Sequence, residues 1–386
     1  MLLLFVMSVW AQDPELELPT DDAVVLNERG TWGGIGLPYA SANSTDGLGL
    51  GLGGELFHRP EGEEDGYDFK LTLSTYFAVN GRYQNHFVQV ERFGERNNIF
   101  FQAGYSRWSS MLYAGAGGAD VLVLRPQQAE SGNRQSAPFA MASVSFPVDE
   151  FDLYIQGFTR FAAVTPNPGG VLDVDRPYGA EGGGYGQVAI GVTKTTWDRF
   201  PLPRDGAYLE MAVLGNIAGD RDGQIEPSGG IFVEAIRWKS FGRHLTIGAR
   251  GNLTNMVGTQ PFFIQDLLPG RLKDEFGFEQ PLTGYGRTRT RGDGLWAAAV
   301  EVRPYVGRIQ KGFFDMALYG SVYAEEAFLF SGTDPGPHMP TVGVGFDLVW
   351  QGATVLRPFA AWGWRAEPGQ KRRGVPQFGL ALKSPL

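Results

Sequence analysis

The chain has 386 residues, no cysteine, 55 glycines and a formal net charge of -9. Without cysteine there is no disulfide framework and no thiolate metal site. The acidic balance, with basic patches only at Arg287–Arg291 and Lys371–Arg373, argues against nucleic acid as the main partner. Aromatic residues make up 13% while mean hydropathy is -0.17, so apolar residues interleave with polar ones, as a two-faced sheet requires.

In chain order, Met1 to Ala11 is apolar and closes on Val9-Trp10-Ala11, a small-residue cleavage pattern of secretory signals. It lacks a basic start and is shorter than the usual ~15 to 30 residues, which places the true start upstream; the other reading is a disordered apolar N-terminus. Residues 12–33 read as a short acidic periplasmic segment, and 34–386 as a single barrel domain. Nothing after residue 11 approaches the roughly 18 consecutive apolar residues of a spanning helix, so any membrane would be crossed by strands.

From Gly47 onward the pattern has period two. Leucines 48, 50, 52 and 56 alternate with Gly49, Gly51, Gly53 and Glu55. In 207–218, Leu209, Met211, Val213 and Ile217 oppose Tyr208, Glu210 and Asn216; in 341–350, Val342, Val344, Phe346, Leu348 and Trp350 oppose Gly343, Gly345 and Asp347. Sixteen such stretches are predicted as strands: 47–57, 66–79, 82–93, 97–108, 119–127, 136–147, 151–164, 185–198, 205–218, 228–239, 243–256, 295–306, 312–326, 339–350, 353–365 and 376–384. Long gaps (165–184, 257–294, 327–338) alternate with short ones (148–150, 240–242, 351–352), the rhythm of external loops and periplasmic turns; 94–97 and 109–118 misfit. The expected fold is all-β, a sixteen-stranded antiparallel transmembrane β-barrel in the bacterial outer membrane. A soluble all-β barrel or pair of sandwiches alternates too and is the competing reading.

Motifs for chemistry are weak. Gly47–Glu55 satisfies a loose G-x-G-x-x-G, but no helix pattern follows it. Arg291-Gly292-Asp293 is too common a tripeptide to support adhesion. Asp220, Asp222 and Glu226 supply hard oxygens at a spacing that is not an EF-hand. His58, His86, His244 and His338 form no metal or nucleophile pattern, so neither an enzyme nor a cofactor is expected.

Leu282-Thr283-Gly284-Tyr285, followed by Arg287, Arg289 and Arg291 and then Glu301-Val302-Arg303, resembles the sixth external loop and twelfth strand of the BamA/TamA-type barrels, the outer-membrane assembly superfamily. The likeness extends to Leu37-Pro38-Tyr39 with Asp46–Gly49, to Trp197-Asp198-Arg199 with Pro203–Gly206, and to Gly343-Val344-Gly345. It implies a loop folded into the lumen and locked by an ion pair. Thr283 stands where the family has its motif arginine, leaving Arg287 or Arg289 to substitute. The family's partner aspartate is matched by Asp315 in Phe313–Ala317; a register aligning Gly320 instead would lose it, and alternation favours Asp315. On this reading Gly284, Tyr285 and the three arginines form a lumenal lock neutralised by Glu301 and Asp315; the other reading is a solvated basic loop.

The resemblance also implies a lateral seam, expected between Gly49, Gly51 and Gly53 of a first strand and the last strand around Phe378, although those glycines equally make room for an internal loop. The family's periplasmic POTRA domains have no room in 12–33. The implied function is insertion or transport of protein or lipid, with outer-membrane lipid (lipopolysaccharide or phospholipid) and a periplasmic or polypeptide partner; a plugged or narrow pore and a structural envelope barrel are the alternatives.

Overall fold

The computed structural model describes residues 32–43, 47–58, 60, 68–94, 96–112, 132–196, 202, 204–242, 244–264, 294–311, 314–331, 334–350, 354–365 and 373–383. Among the described residues, seventeen antiparallel strands form one sheet. They are β1 (Trp32–Asn43), β2 (Gly47–His58), β3 (Phe69–Ala78), β4 (Tyr83–Phe93), β5 (Asn98–Leu112), β6 (Gly132–Val148), β7 (Phe151–Pro166), β8 (Gly182–Thr195) and β9 (Gly206–Asp220). Then come β10 (Ile225–Phe241), β11 (Leu245–Gly258), β12 (Gly294–Lys311), β13 (Phe314–Ser331), β14 (Asp334–His338), β15 (Thr341–Trp350), β16 (Thr354–Arg365) and β17 (Arg373–Lys383). Among the described residues one short helix, α1 (Val171–Asp175), lies between β7 and β8.

Each strand from β1 to β13 pairs with the next; β13 pairs along its length with β15 and only at its end with β14. β17 in turn meets β1 at Ala42↔Leu380 and Asn43↔Gly379. The period-two pattern of the sequence is the cause of this sheet, because one register sends every apolar residue to the same side.

That side is the outer one. Met211, Val213 and Ile217 of β9 are exposed, whereas Tyr208, Glu210 and Asn216 are buried; in β15, Val342, Val344 and Phe346 are exposed and Asp347 is buried. A soluble sheet does the reverse, covering its apolar face, so this inverted arrangement fits a sheet bathed in hydrocarbon.

Two parts of the sequence reading change. The first described strand is β1, beginning at Trp32, and not the stretch at 47–57. Positions 36 and 38 of its exposed face are Gly and Pro, so the strand has no apolar stripe to read. The stretch 119–127 lies outside the described residues, and β5 and β6, which flank it in the chain, pair directly with each other. With β1 counted, the interval 94–97 follows an even strand and the longer interval between β5 and β6 an odd one, as the rhythm asks, but the interval 59–68 now follows an even strand and the short 79–82 an odd one.

The sheet is occupied at both ends. At the long-loop end, Leu172 of α1 and Phe262, Phe263 and Ile264, at the root of the loop between β11 and β12, pack with Ala162, Tyr185 and Ala218 of the inner face. Tyr178 ties the loop carrying α1 to the β9–β10 hairpin, its hydroxyl donating to the carbonyls of Ala218 at 2.9 Å and Gln224 at 3.2 Å. Burial first, and then the carboxylates of Asp220 and Glu226, push that hydroxyl's pKa above the usual tyrosine value. At the short-turn end, Leu202, between β8 and β9, packs against Val349 of β15 with Ala317 and Tyr319 of β13.

Candidate functional site

β12 places Glu301 and Arg303 two residues apart, hence on the same face, and that face is the inner one. β13 contributes Ser321, β15 Asp347 and β16 Arg357, all from buried positions. Arg303 Nε donates to Glu301 Oε1 at 2.8 Å, and Ser321 Oγ donates to the same oxygen at 2.7 Å. Arg357 Nη2 bridges the two carboxylates, reaching Glu301 Oε1 at 3.0 Å and Asp347 Oδ2 at 2.6 Å, while its Nε donates to Asp347 Oδ1. Arg303 Nε also lies 3.8 Å from Asp347 Oδ2.

Two carboxylates and two guanidiniums therefore balance inside the wall. The side chains of Glu301 and Arg303 are 1% exposed and that of Asp347 0%. Taking such charges out of water costs several kcal/mol each and is tolerated only when they are paired; here every charge has an opposite charge beside it, with Arg303 Nη1 left without a hydrogen-bond partner. The guanidinium of Arg303 stacks 3.9 Å from the centroid of Trp238 on β10, extending the network across the inner face.

Trp238 lies over its cross-strand partner Gly248, where an added Cβ would come within 2.2 Å of the ring. The same device recurs. Tyr154 covers its cross-strand partner Gly191 and Tyr323 covers Gly343, while Tyr76 covers Gly49 diagonally, each leaving no space for a Cβ. Smaller polar pairs complete the inner face: Glu210 accepts from Tyr154 at 2.6 Å and from Tyr208, Arg250 donates to Glu234 at 2.7 Å, and Lys70 lies 3.4 Å from Glu55.

Of the residues singled out in the sequence, Glu301 sits at the centre of this network, where its cationic neighbours are Arg303 and Arg357. Gly284, Tyr285, Arg287, Arg289 and Arg291 lie outside the described residues. Asp315, the second residue of β13, lies opposite Gln310, and its side chain is not among those described. The expected seam is corrected. Gly49, Gly51 and Gly53 belong to β2, which is flanked by β1 and β3, and Gly49 makes room for Tyr76. Phe378 of β17 pairs with Ala360 of β16, and the partner of β17 on its other side is β1.

Sequence reasoning gave no role to Arg303, Arg357, Ser321 or Trp238. Inward parity was the available signal, since all the charges at 301, 303, 347 and 357 fall on the face opposite the apolar stripes. The four histidines are separate: His58 bonds Asp68 at 2.5 Å, His86 bonds Thr75 at 2.6 Å, His338 bonds Glu326 at 2.7 Å, and the His244 ring lies tilted 6.3 Å from that of Tyr305. Asp220 Oδ1 accepts the backbone N–H of Gln224 at 2.8 Å, and Glu226 Oε1 accepts the Gln224 side chain at 2.7 Å, so one oxygen of each is used within this acidic turn.

No family model and no curated protein sequence matches the chain. Solved structures do. BamA from Haemophilus ducreyi lacking POTRA domains 1-3 superposes with a TM-score of 0.55 at 12% identity, over 92% of this chain and 70% of that one. The chain shares its fold with these barrels. CdiB from Acinetobacter baumannii matches at TM-score 0.52 and 11% identity, over 91% of this chain and 60% of that one. CdiB from Escherichia coli gives 0.52 and 10%, over 92% and 63%. The chain thus spans less than two thirds of the length of either CdiB structure.

Proposed function

We propose that the sheet closes as a sixteen-stranded barrel in the bacterial outer membrane, with β14 as an appendage of β13, and that it serves insertion or transport of a polypeptide or lipid through an opening between β1 and β17. The observation that carries this reading is the contrast in pairing. β1 and β2 are joined through 12 residue pairs and β16 and β17 through 11, whereas β17 and β1 share two. The hydrogen bonds given up on opening are fewest there. The fold shared with BamA and CdiB supports an assembly or transport role over catalysis. The buried root of the long loop, Phe262–Ile264, supports the reading that its remainder, with Arg287, Arg289 and Arg291, folds inward toward Glu301 and Asp315.

The test is a disulfide between Ala42→Cys and Leu380→Cys, which are cross-strand partners. Vesicles carrying the protein are presented with an unfolded outer-membrane barrel, and the rate of its insertion is followed. Acceleration that disappears on oxidation and returns on reduction is expected; acceleration that persists in the oxidised protein refutes an opening at this junction.

A second reading, a plugged barrel of low conductance, is favoured by the burial of Glu301, Arg303 and Asp347, which an open water-filled lumen would wet, and by Leu202 at the short-turn end. Planar-bilayer recordings with only rare, small steps support it; steady conductance of general-porin size rejects it.

A further inference from the structure

The outer face of β2 to β6 continues the exposed apolar side of the sheet. Leu50, Leu52, Leu73, Phe77 and Phe101 make it apolar. It contains a depression of about 520 Å³ whose floor is the backbone row Gly53, Ser74, Phe87 and Gly104. Gly36, Gly54 and Ala103, small residues on that face, keep it open. One polar pair lies within it, Thr75 Oγ1 and His86 Nδ1 at 2.6 Å.

Beyond the depression, toward the long-loop end, three arginines stand exposed on neighbouring chain segments: Arg82 in the β3–β4 turn, Arg107 on β5 and Arg134 on β6. Ser109 N donates to Arg82 O at 2.8 Å, and Arg107 pairs with Ser136, so both Arg82 and Arg134 are diagonal neighbours of Arg107. Diagonal cross-strand positions are roughly 7–8 Å apart, within reach of one anionic group for side chains as long as arginine. Among the described residues of β2 to β6, no carboxylate shares this face. Glu55 and Glu91, the acids of β2 to β6, alternate onto the inner side with Lys70. In a chain of net charge -9, three arginines above an apolar depression, with no acid on their own face among the described residues of these strands, fit an anion from outside the chain.

We infer that this face seats an anionic membrane lipid, its phosphate held by Arg82, Arg107 and Arg134 and an acyl chain lying in the depression across Thr75 and His86. The guanidinium fork matches phosphate geometry, and the small-residue floor admits a chain that larger side chains would exclude. This rests on the membrane reading above.

The protein is reconstituted in phosphatidylcholine nanodiscs doped with phosphatidic acid, and lipids retained on release are counted by native mass spectrometry. Phosphatidic acid should be retained on the order of tenfold over its share of the bilayer, and the preference should vanish in R82Q/R107Q/R134Q but persist in R237Q at the opposite end. Equal retention of both lipids, or a preference that survives the triple change, overturns the inference while leaving the membrane reading intact. A protein that does not stay embedded in the disc overturns both. Binding of a polyglutamate peptide through the same arginines without any lipid preference assigns the patch to an acidic protein and equally overturns it.

Discussion

The balanced charge network can be broken and rebalanced. Asp347→Asn removes one of two anions and leaves Glu301 facing both guanidiniums, a net charge of about +1 in a site closed to water. Removing one partner of a buried pair costs about 3–5 kcal/mol, so the variant should lose that much stability. Arg303→Met leaves the opposite imbalance and also removes the stack on Trp238, with a loss of the same size. The double variant is neutral again and retains the contact of Arg357 with Glu301 at 3.0 Å. Its loss should fall short of the sum of the single losses by at least ~1.4 kcal/mol, tenfold in the folding constant. Urea titration of the refolded protein in lipid vesicles measures this, followed by tryptophan fluorescence and by the shift in gel mobility between folded and heated samples. Losses that add to within about 0.5 kcal/mol would show that Arg303 and Asp347 act independently, and the network would be a set of unrelated contacts.

Gly248→Ala should displace the Trp238 ring and cost about 1–3 kcal/mol with a change in near-ultraviolet dichroism. Gly251→Ala, where a Cβ meets nothing within 4 Å, should stay within about 0.5 kcal/mol; equal effects would reject the ring-over-glycine argument. Glu210→Gln exchanges two charge-assisted bonds from Tyr154 and Tyr208 for neutral ones, an expected loss of about 1–2 kcal/mol by the same titration, and Glu210→Leu should cost more because both hydroxyls lose their acceptor. Tyr178→Phe should speed amide exchange across 167–181 and 221–225 with little change in global stability. Because the native hydroxyl's pKa is raised, its contribution is complete below a pH of about 10 and declines as pH climbs past the unfolded value; unchanged exchange in the variant would dismiss the tie.

Most of the sheet was legible because a hydrocarbon-facing strand writes itself as alternation, and fifteen of the sixteen expected stretches coincide with strands. β1 was missed for a physical reason: Gly36 and Pro38 occupy its exposed face, so the period is present without the contrast that reveals it. The stretch 119–127 shows the converse, an apolar run whose chain neighbours β5 and β6 pair with each other. The candidate network was half legible. Inward parity flags Glu301 and Asp347, but their partners depend on strand order: Arg357 meets Asp347 across one strand pair, while Arg303 meets Trp238 from two strands away. No spacing along the chain encodes that distance.

The rings laid over glycines have a consequence for how such a sheet finds its pairing. Alternation forbids a slip of one residue, since every side chain would change sides, but a slip of two leaves both faces intact. There the aromatic–glycine keys decide. Moved by two positions, Trp238 would rest on Thr246 or Arg250 and Tyr154 on Ala189 or Thr193, each of which has a Cβ where the ring must lie. A hairpin assembled two residues out of step would fail to seat its ring and remain free to unzip and try again, so these glycines act as proofreading positions for assembly.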